Sequence, residues 1–219
     1  MEILKMILGS IPGYRRFEMP GIGIQNCHQL LIRICFGACV FYFMGIAAIC
    51  DTAHGRSSEA ADLEYRIKAA FLLNFTKFVS WPEDLLDDKK SPIILCVVGE
   101  NPFGAALDSL RDKTVRGRPI EVRYESNPGA LPACHVAFMS HSLRGNDGEI
   151  LRQLAGVPIL TVGENRDFAK QGGMINFIMQ NNKIRFEINP SAVKAASLKI
   201  SSQLLKLAVI VETDRSKEN

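Results

Sequence analysis

The sequence predicts an α/β fold: a mainly parallel, doubly wound sheet of about six strands, a C-terminal antiparallel hairpin and flanking helices, all in a single domain. Three observations carry that expectation. The runs 93–99 (IILCVVG), 134–140 (CHVAFMS) and 157–162 (VPILTV) are apolar without alternation, as strands buried on both faces are. Stretches with helical periodicity lie between these runs. Two later runs, 174–179 and 183–188, flank Asn181-Asn182, a hairpin turn signal.

Each element follows in order. From Glu59 to Val79 the residues Leu63, Ile67, Ala70, Phe71, Phe75 and Phe78 recur at steps of three and four, the stripe of an amphipathic helix. Its aromatic end reads as core rather than as a partner patch. Trp81-Pro82 stops it, because a residue before proline avoids the helical region. After the 93–99 strand, residues 102–110 form a short helix with Pro102 in its first turn. Arg111, Lys113, Arg116 and Arg118 make a basic connection into a strand over 120–124, read as a solvated loop rather than a phosphate site. A helix over 147–155 follows the 134–140 strand, and a helical turn spans 166–170. Asn189 caps a final helix with Pro190 at its first position, whose stripe is Val193, Ala196, Ile200, Leu204 and Leu207. A strand order of the 2-1-3-4-5 kind makes the first and third strands neighbours.

The chain has 219 residues, 47% hydrophobic and 22% charged, which excludes disorder and leaves material for one core. The net charge of +3 gives no reason to expect nucleic acid as a partner. Residues 1–55 read as a leader. Residues 34–49 are uncharged and mostly apolar, Arg33 precedes them, and Asp51 and the small-residue stretch 52–55 follow. That is the layout of a secretory signal cleaved after Gly55, preferred over an uncleaved anchor because a spanning helix wants about 20 apolar residues. Met19 is a candidate later start. Lipidation at Cys50 is disfavoured by the bulky Ile49 before it. The domain then runs over 56–212 and a polar tail over 213–219, in the periplasm. Four of the six cysteines fall in the leader, leaving Cys96 and Cys134. An even count in an exported protein reads as one disulfide, with two separate buried thiols as the alternative.

The chemistry expected of such a sheet is missing. The segment 99–104 (GENPFG) has the glycine spacing of a phosphate loop after a strand, but Ala105-Ala106 stand where lysine and a hydroxyl belong. No G-x-S-x-G elbow occurs, and residues 56–219 hold no dinucleotide fingerprint. Only His135 and His141 follow the leader as bases, and Cys134-His135 lacks the spaced partners of a metal site. No catalytic residue, metal or cofactor is therefore assigned. One echo stands out: Gly99-Glu100-Asn101 and Gly163-Glu164-Asn165, each preceded by valine, each leave a predicted strand. Both belong at the carboxyl edge, where open α/β sheets bind ligands, and are the candidate ligand or partner crevice. The plainer reading, two strand-to-helix turns, is preferred.

The segments 158–164 (PILTVGE), 168–169 (FA), 172–177 (GGMINF), 183–189 (KIRFEIN) and 198–207 (LKISSQLLKL) together resemble the YfiR-like family of exported proteins, as do 95–99 (LCVVG) and Cys134. The similarity runs over about 59–211, and Cys96 and Cys134 match a cysteine pair of that family. The resemblance implies a periplasmic α/β regulator, often a homodimer, and not an enzyme. By the same resemblance it is expected to repress an inner-membrane diguanylate cyclase by binding the periplasmic part of that sensor, lowering cyclic di-GMP and biofilm formation. It also implies an outer-membrane lipoprotein as a second partner. Some members carry another cysteine pair in the region of 168–177, which this sequence lacks. The alternative function is a periplasmic small-molecule binding module, its ligand at the two Gly-Glu-Asn turns.

Overall fold

The computed structural model describes residues 52–86, 90–125, 131 and 133–212. The expected leader segment 34–49 and the tail 213–219 lie outside the described residues. Two units divide the chain, Met1–Ala61 and Asp62–Asn219; the sheet and everything argued below belong to the second.

Helix α1 spans Thr52–Phe78 and ends before a two-residue strand β1, Val79–Ser80. The central sheet follows: β2 (Ile93–Val98), β3 (Thr114–Val115), β4 (Arg118–Glu125), β5 (Val136–Met139), β6 (Leu160–Gly163), β7 (Ile175–Gln180) and β8 (Lys183–Ile188). A 3-10 turn over Gly104–Leu110 stands where the sequence predicts a short helix, and α2 covers Asp147–Gln153. Adding β10 (Val209–Ile210), the sheet order is β10-β8-β7-β6-β5-β2-β4-β3. The predicted neighbours are neighbours: β2 pairs β5 and β4 in parallel, and β5 pairs β6. The β7–β8 pair is the expected antiparallel hairpin, with Asn181 and Asn182 at φ 51° and 56° in its turn.

Side chains alternate between two layers, as the pleat requires. On one face Cys96 and Val98 of β2 meet Ala137 and Met139 of β5 and Ile150, Leu151 and Leu154 around α2. On the other, the aromatic stripe of α1 is core. Phe71 and Phe75 pack on Phe177 and Phe186 of the hairpin, and Phe138 meets both Phe103 and Phe177. Cys96 and Cys134 form the disulfide, with a Cα–Cα distance of 6.0 Å.

The C-terminal helix of the sequence reading is not one helix. It breaks into α3 (Pro190–Ala195), strand β9 (Lys199–Ile200) and α4 (Ser202–Leu205). Ser197 turns left-handed at φ 57°, which no continuing α-helix permits. Ile200 and Lys199 then pair antiparallel with Val79 and Ser80 at the foot of α1, and Ser201 caps the next turn through Leu204 N. The Asn189 cap survives, accepting from Ala192 N at 3.1 Å.

Candidate functional site

The two Gly-Glu-Asn turns leave β2 and β6, which are separated in the sheet by β5. Between them lies the turn after β5, a 3-10 turn over His141–Leu143. It is held from both sides. Glu100 N donates to Ser142 Oγ at 2.9 Å, and His141 N donates to Glu164 Oε1 at 3.0 Å. The connection from β2 leads to β4 and the connection from β5 leads to β6, in opposite directions along the sheet, so the topological switch point falls between β2 and β5. Gly99 follows β2 there. At φ +88° it packs so tightly that a Cβ would come within 2.5 Å of Ser142 Oγ and 2.8 Å of Ser140 Oγ. Asn101 stays local, its side chain accepting from Phe103 N at 2.9 Å, and Glu100 is exposed.

The second turn is built differently. Glu164 is drawn under α1, where Lys68 Nζ lies 2.7 Å from Oε2, and the side chains are 7% and 5% exposed respectively. Lys68 also meets Glu64 at 2.5 Å and lies over the Tyr65 ring, 4.5 Å from its centroid. The Tyr65 hydroxyl donates to Glu164, 3.2 Å from either oxygen. Burial, with the Glu164 charge beside it, pushes the Tyr65 hydroxyl pKa well above its ordinary 10.0. Tyr65 is therefore a hydrogen-bond donor at any ordinary pH.

Asn165 points inward. Its Nδ2 donates to both carboxylate oxygens of buried Asp147, at 2.9 and 3.0 Å, while its own Oδ1 has no partner among the described residues. Desolvation raises the Asp147 pKa above its ordinary 3.8, with the Asn165 hydrogen bond acting the other way. Gly163 is required by Phe168, because a Cβ there would stand 2.5 Å from the buried ring.

Glu64, Tyr65, Lys68 and Glu164 thus converge under α1, while Glu100 and His135 lie outside that cluster. The two histidines bracket β5, with His135 at the amino end of the strands and His141 at the carboxyl end. His135 Nδ1 accepts from Ile94 N at 3.0 Å, its carbonyl accepts from Trp81 Nε1 at 3.1 Å, and burial lowers its pKa from 6.5. Among the described residues no cluster of three or more His, Cys, Asp or Glu side chains could hold a metal. The basic connection is engaged with backbone: Arg118 donates to the carbonyls of Ser91 and Leu86, and Arg116 to that of Lys77. Two of the cavities among the described residues stand out. One of about 650 Å³ is lined by Trp81, Ile93 and Arg116, the other, of about 800 Å³, by Leu154, Met174 and Ala192. Neither is lined by any of the six Gly-Glu-Asn residues.

Sequence reasoning missed Tyr65 and Lys68. The available signal was local: Glu64 and Lys68 stand four apart beside the apolar stripe of a predicted helix.

A family model described as YfiR/HmsC-like matches residues 65–209, well over half of the 219-residue chain. The chain belongs to the YfiR/HmsC-like family. The matched span opens at Tyr65, so the α1 side of the Lys68–Glu164 pair lies within the YfiR/HmsC-like region. A solved structure, the ABC domain in complex with L-Trp from Streptococcus pneumonia, superposes with a TM-score of 0.40 at 7% identity, over 54% of this chain and 55% of that one. The chain thus spans about half the length of that structure, and no inference about ligand or activity follows from it. Among the described residues no helix of this YfiR/HmsC-like chain is long and apolar enough to cross a membrane.

Proposed function

We propose that this chain is a periplasmic regulatory binding protein that represses an inner-membrane diguanylate cyclase by contacting the periplasmic part of that sensor. Membership of the YfiR/HmsC-like family over residues 65–209 carries the reading. The carboxyl edge supports it. Where α/β enzymes keep reactive side chains, Glu164 is occupied by Lys68, Tyr65 and His141 N, and the Ser140 and Ser142 side chains pack against Gly99. The proposal includes export by the leader over 1–55, an outer-membrane lipoprotein as a second partner, and self-association.

Deletion of the gene tests it. Cellular cyclic di-GMP rises, and a pull-down from membranes recovers a sensor carrying a diguanylate cyclase domain. Unchanged cyclic di-GMP together with no recovered sensor overturns the reading. One observation favours a small-molecule binding module instead: the cavity of about 800 Å³ beside α2 and α3 is of ligand size, though it lies away from the two turns. Thermal shifts across a metabolite panel distinguish the two.

A further inference from the structure

The β7–β8 hairpin outruns the sheet that carries it. Strand β6 pairs β7 only at Ile175 and Asn176, and β10 pairs β8 only at Glu187 and Ile188. The stretch from Lys183 to Phe186 therefore has no strand beside its outer edge among the described residues. Val211 N donates to the carbonyl of Ile188 at 2.9 Å, so Ile188 turns its backbone groups outward. Strand alternation makes Phe186 and Ile184 outward-facing as well. The register of β10, Val209 opposite Glu187, takes the Phe186 carbonyl, and the backbone groups of Ile184 with the Phe186 N–H are left to pair with another strand.

The two faces of that edge differ in chemistry. On the α1 face, Met179 stands opposite Ile184, next to the Phe177–Phe186 pair packed under Phe71 and Phe75. Met179 is 57% exposed, and Leu63, two turns before Phe71 on α1, is 46% exposed. On the other face Lys183 and Arg185 are both exposed, with no ion pair among the described residues. The nearest acidic residue on that face, Glu187, accepts from Asn176.

A second copy of the chain fits this edge poorly. Antiparallel pairing of β8 with itself, keeping each residue on its own face, sets Lys183 against Arg185 or Arg185 against its own counterpart, and like charges directly opposite repel. We propose that the outer edge of β8 is a strand-addition site for an extended partner segment in which acidic and apolar residues alternate. The acidic residues lie opposite Lys183 and Arg185. The apolar residue lies opposite Ile184 and covers Met179. Main-chain hydrogen bonds at Ile184 and at the Phe186 N–H supply the pairing, and the charge pattern selects the strand. Assigning that segment to the membrane sensor rests on the regulatory reading above; the edge itself does not.

The test uses the full chain and a fluorescein-labelled hexapeptide of alternating glutamate and valine, titrated to millimolar concentration by fluorescence anisotropy. Saturable binding is expected, with slowed amide exchange at Ile184 and Phe186. The double variant K183E/R185E weakens binding roughly tenfold or more and gains affinity for the lysine–valine counterpart. The variant I184P, which removes an outward N–H and leaves the pairing with β7 intact, also loses the peptide. Circular dichroism checks that both variants stay folded. No saturable binding, equal binding by K183E/R185E, or unchanged exchange at Ile184 and Phe186 overturns the proposal. Cyclic di-GMP that ignores gene deletion, with no sensor recovered from membranes, overturns the cyclase reading and leaves a peptide-binding edge standing, so the two failures are distinguishable.

Discussion

Lys68 and Glu164 are 96 positions apart and meet at 2.7 Å, one on α1 and the other on the turn after β6. Their contact fastens the long helix to the carboxyl edge of the sheet. A buried pair of this kind adds little net stability over an apolar pair, because desolvating two charges offsets their attraction. Breaking one side is another matter, since it strands a charge.

Lys68→Met is therefore expected to destabilise the fold by about 3 kcal/mol, read from urea unfolding curves. The double variant K68M/E164Q recovers much of that loss, because the one carboxylate left without Lys68, Glu64, is 35% exposed to water. A double variant no more stable than K68M shows that the two side chains do not act as a pair.

The disulfide closes a loop spanning a sequence separation of 38 residues. On the chain-entropy account that is worth roughly 4 kcal/mol. The variant C96A/C134A should lose about that much, measured by denaturant titration, and added reductant should not weaken it further. Native protein in reductant should approach the variant.

Acid should loosen the amino end of the sheet. The folded His135 pKa lies below 6.5, so the unfolded chain binds the proton first as pH falls. Stability is fully present above 6.5 and declines as pH drops from 6.5 through the folded value. Asp147 works with the opposite sign: its raised pKa makes burial of the ionised form a cost that lifts as pH falls towards 3.8. His135→Asn keeps an acceptor for Ile94 N and removes the first effect, so its melting temperature should vary less between pH 7 and pH 5, about the range in which histidine titrates.

Gly163→Ala should cost about 2 kcal/mol, since the added methyl meets a Phe168 ring that is fully buried. Pairing it with Phe168→Leu opens the space and should restore part of the loss. Thermal melts of the three variants against wild type decide the matter.

The sheet was legible because its strands announce themselves locally. Ile93–Val98 and Val136–Met139 are apolar on both faces, and Asn181-Asn182 marks the hairpin. The C-terminal segment was misread because Val193, Ala196, Ile200 and Leu204 keep helical spacing while Ile200 pairs with Val79, a long-range contact without local signature. The two candidate turns were legible only as an echo. Identical tripeptides do unlike work: Glu100 stays in solvent while Glu164 is buried under a lysine. That difference is set by α1, which passes over one turn and offers no cation to the other, and no spacing within either tripeptide encodes it.

The chain contains a single tryptophan, Trp81, and its indole N–H is bonded to the carbonyl of the residue after Cys134. Emission from that ring therefore reports on one spot, the junction of α1's exit, the β5 entrance and the covalent crosslink. Reduction, acidification or release of α1 each becomes visible in the native chain as a change in colour or brightness, with no dye attached.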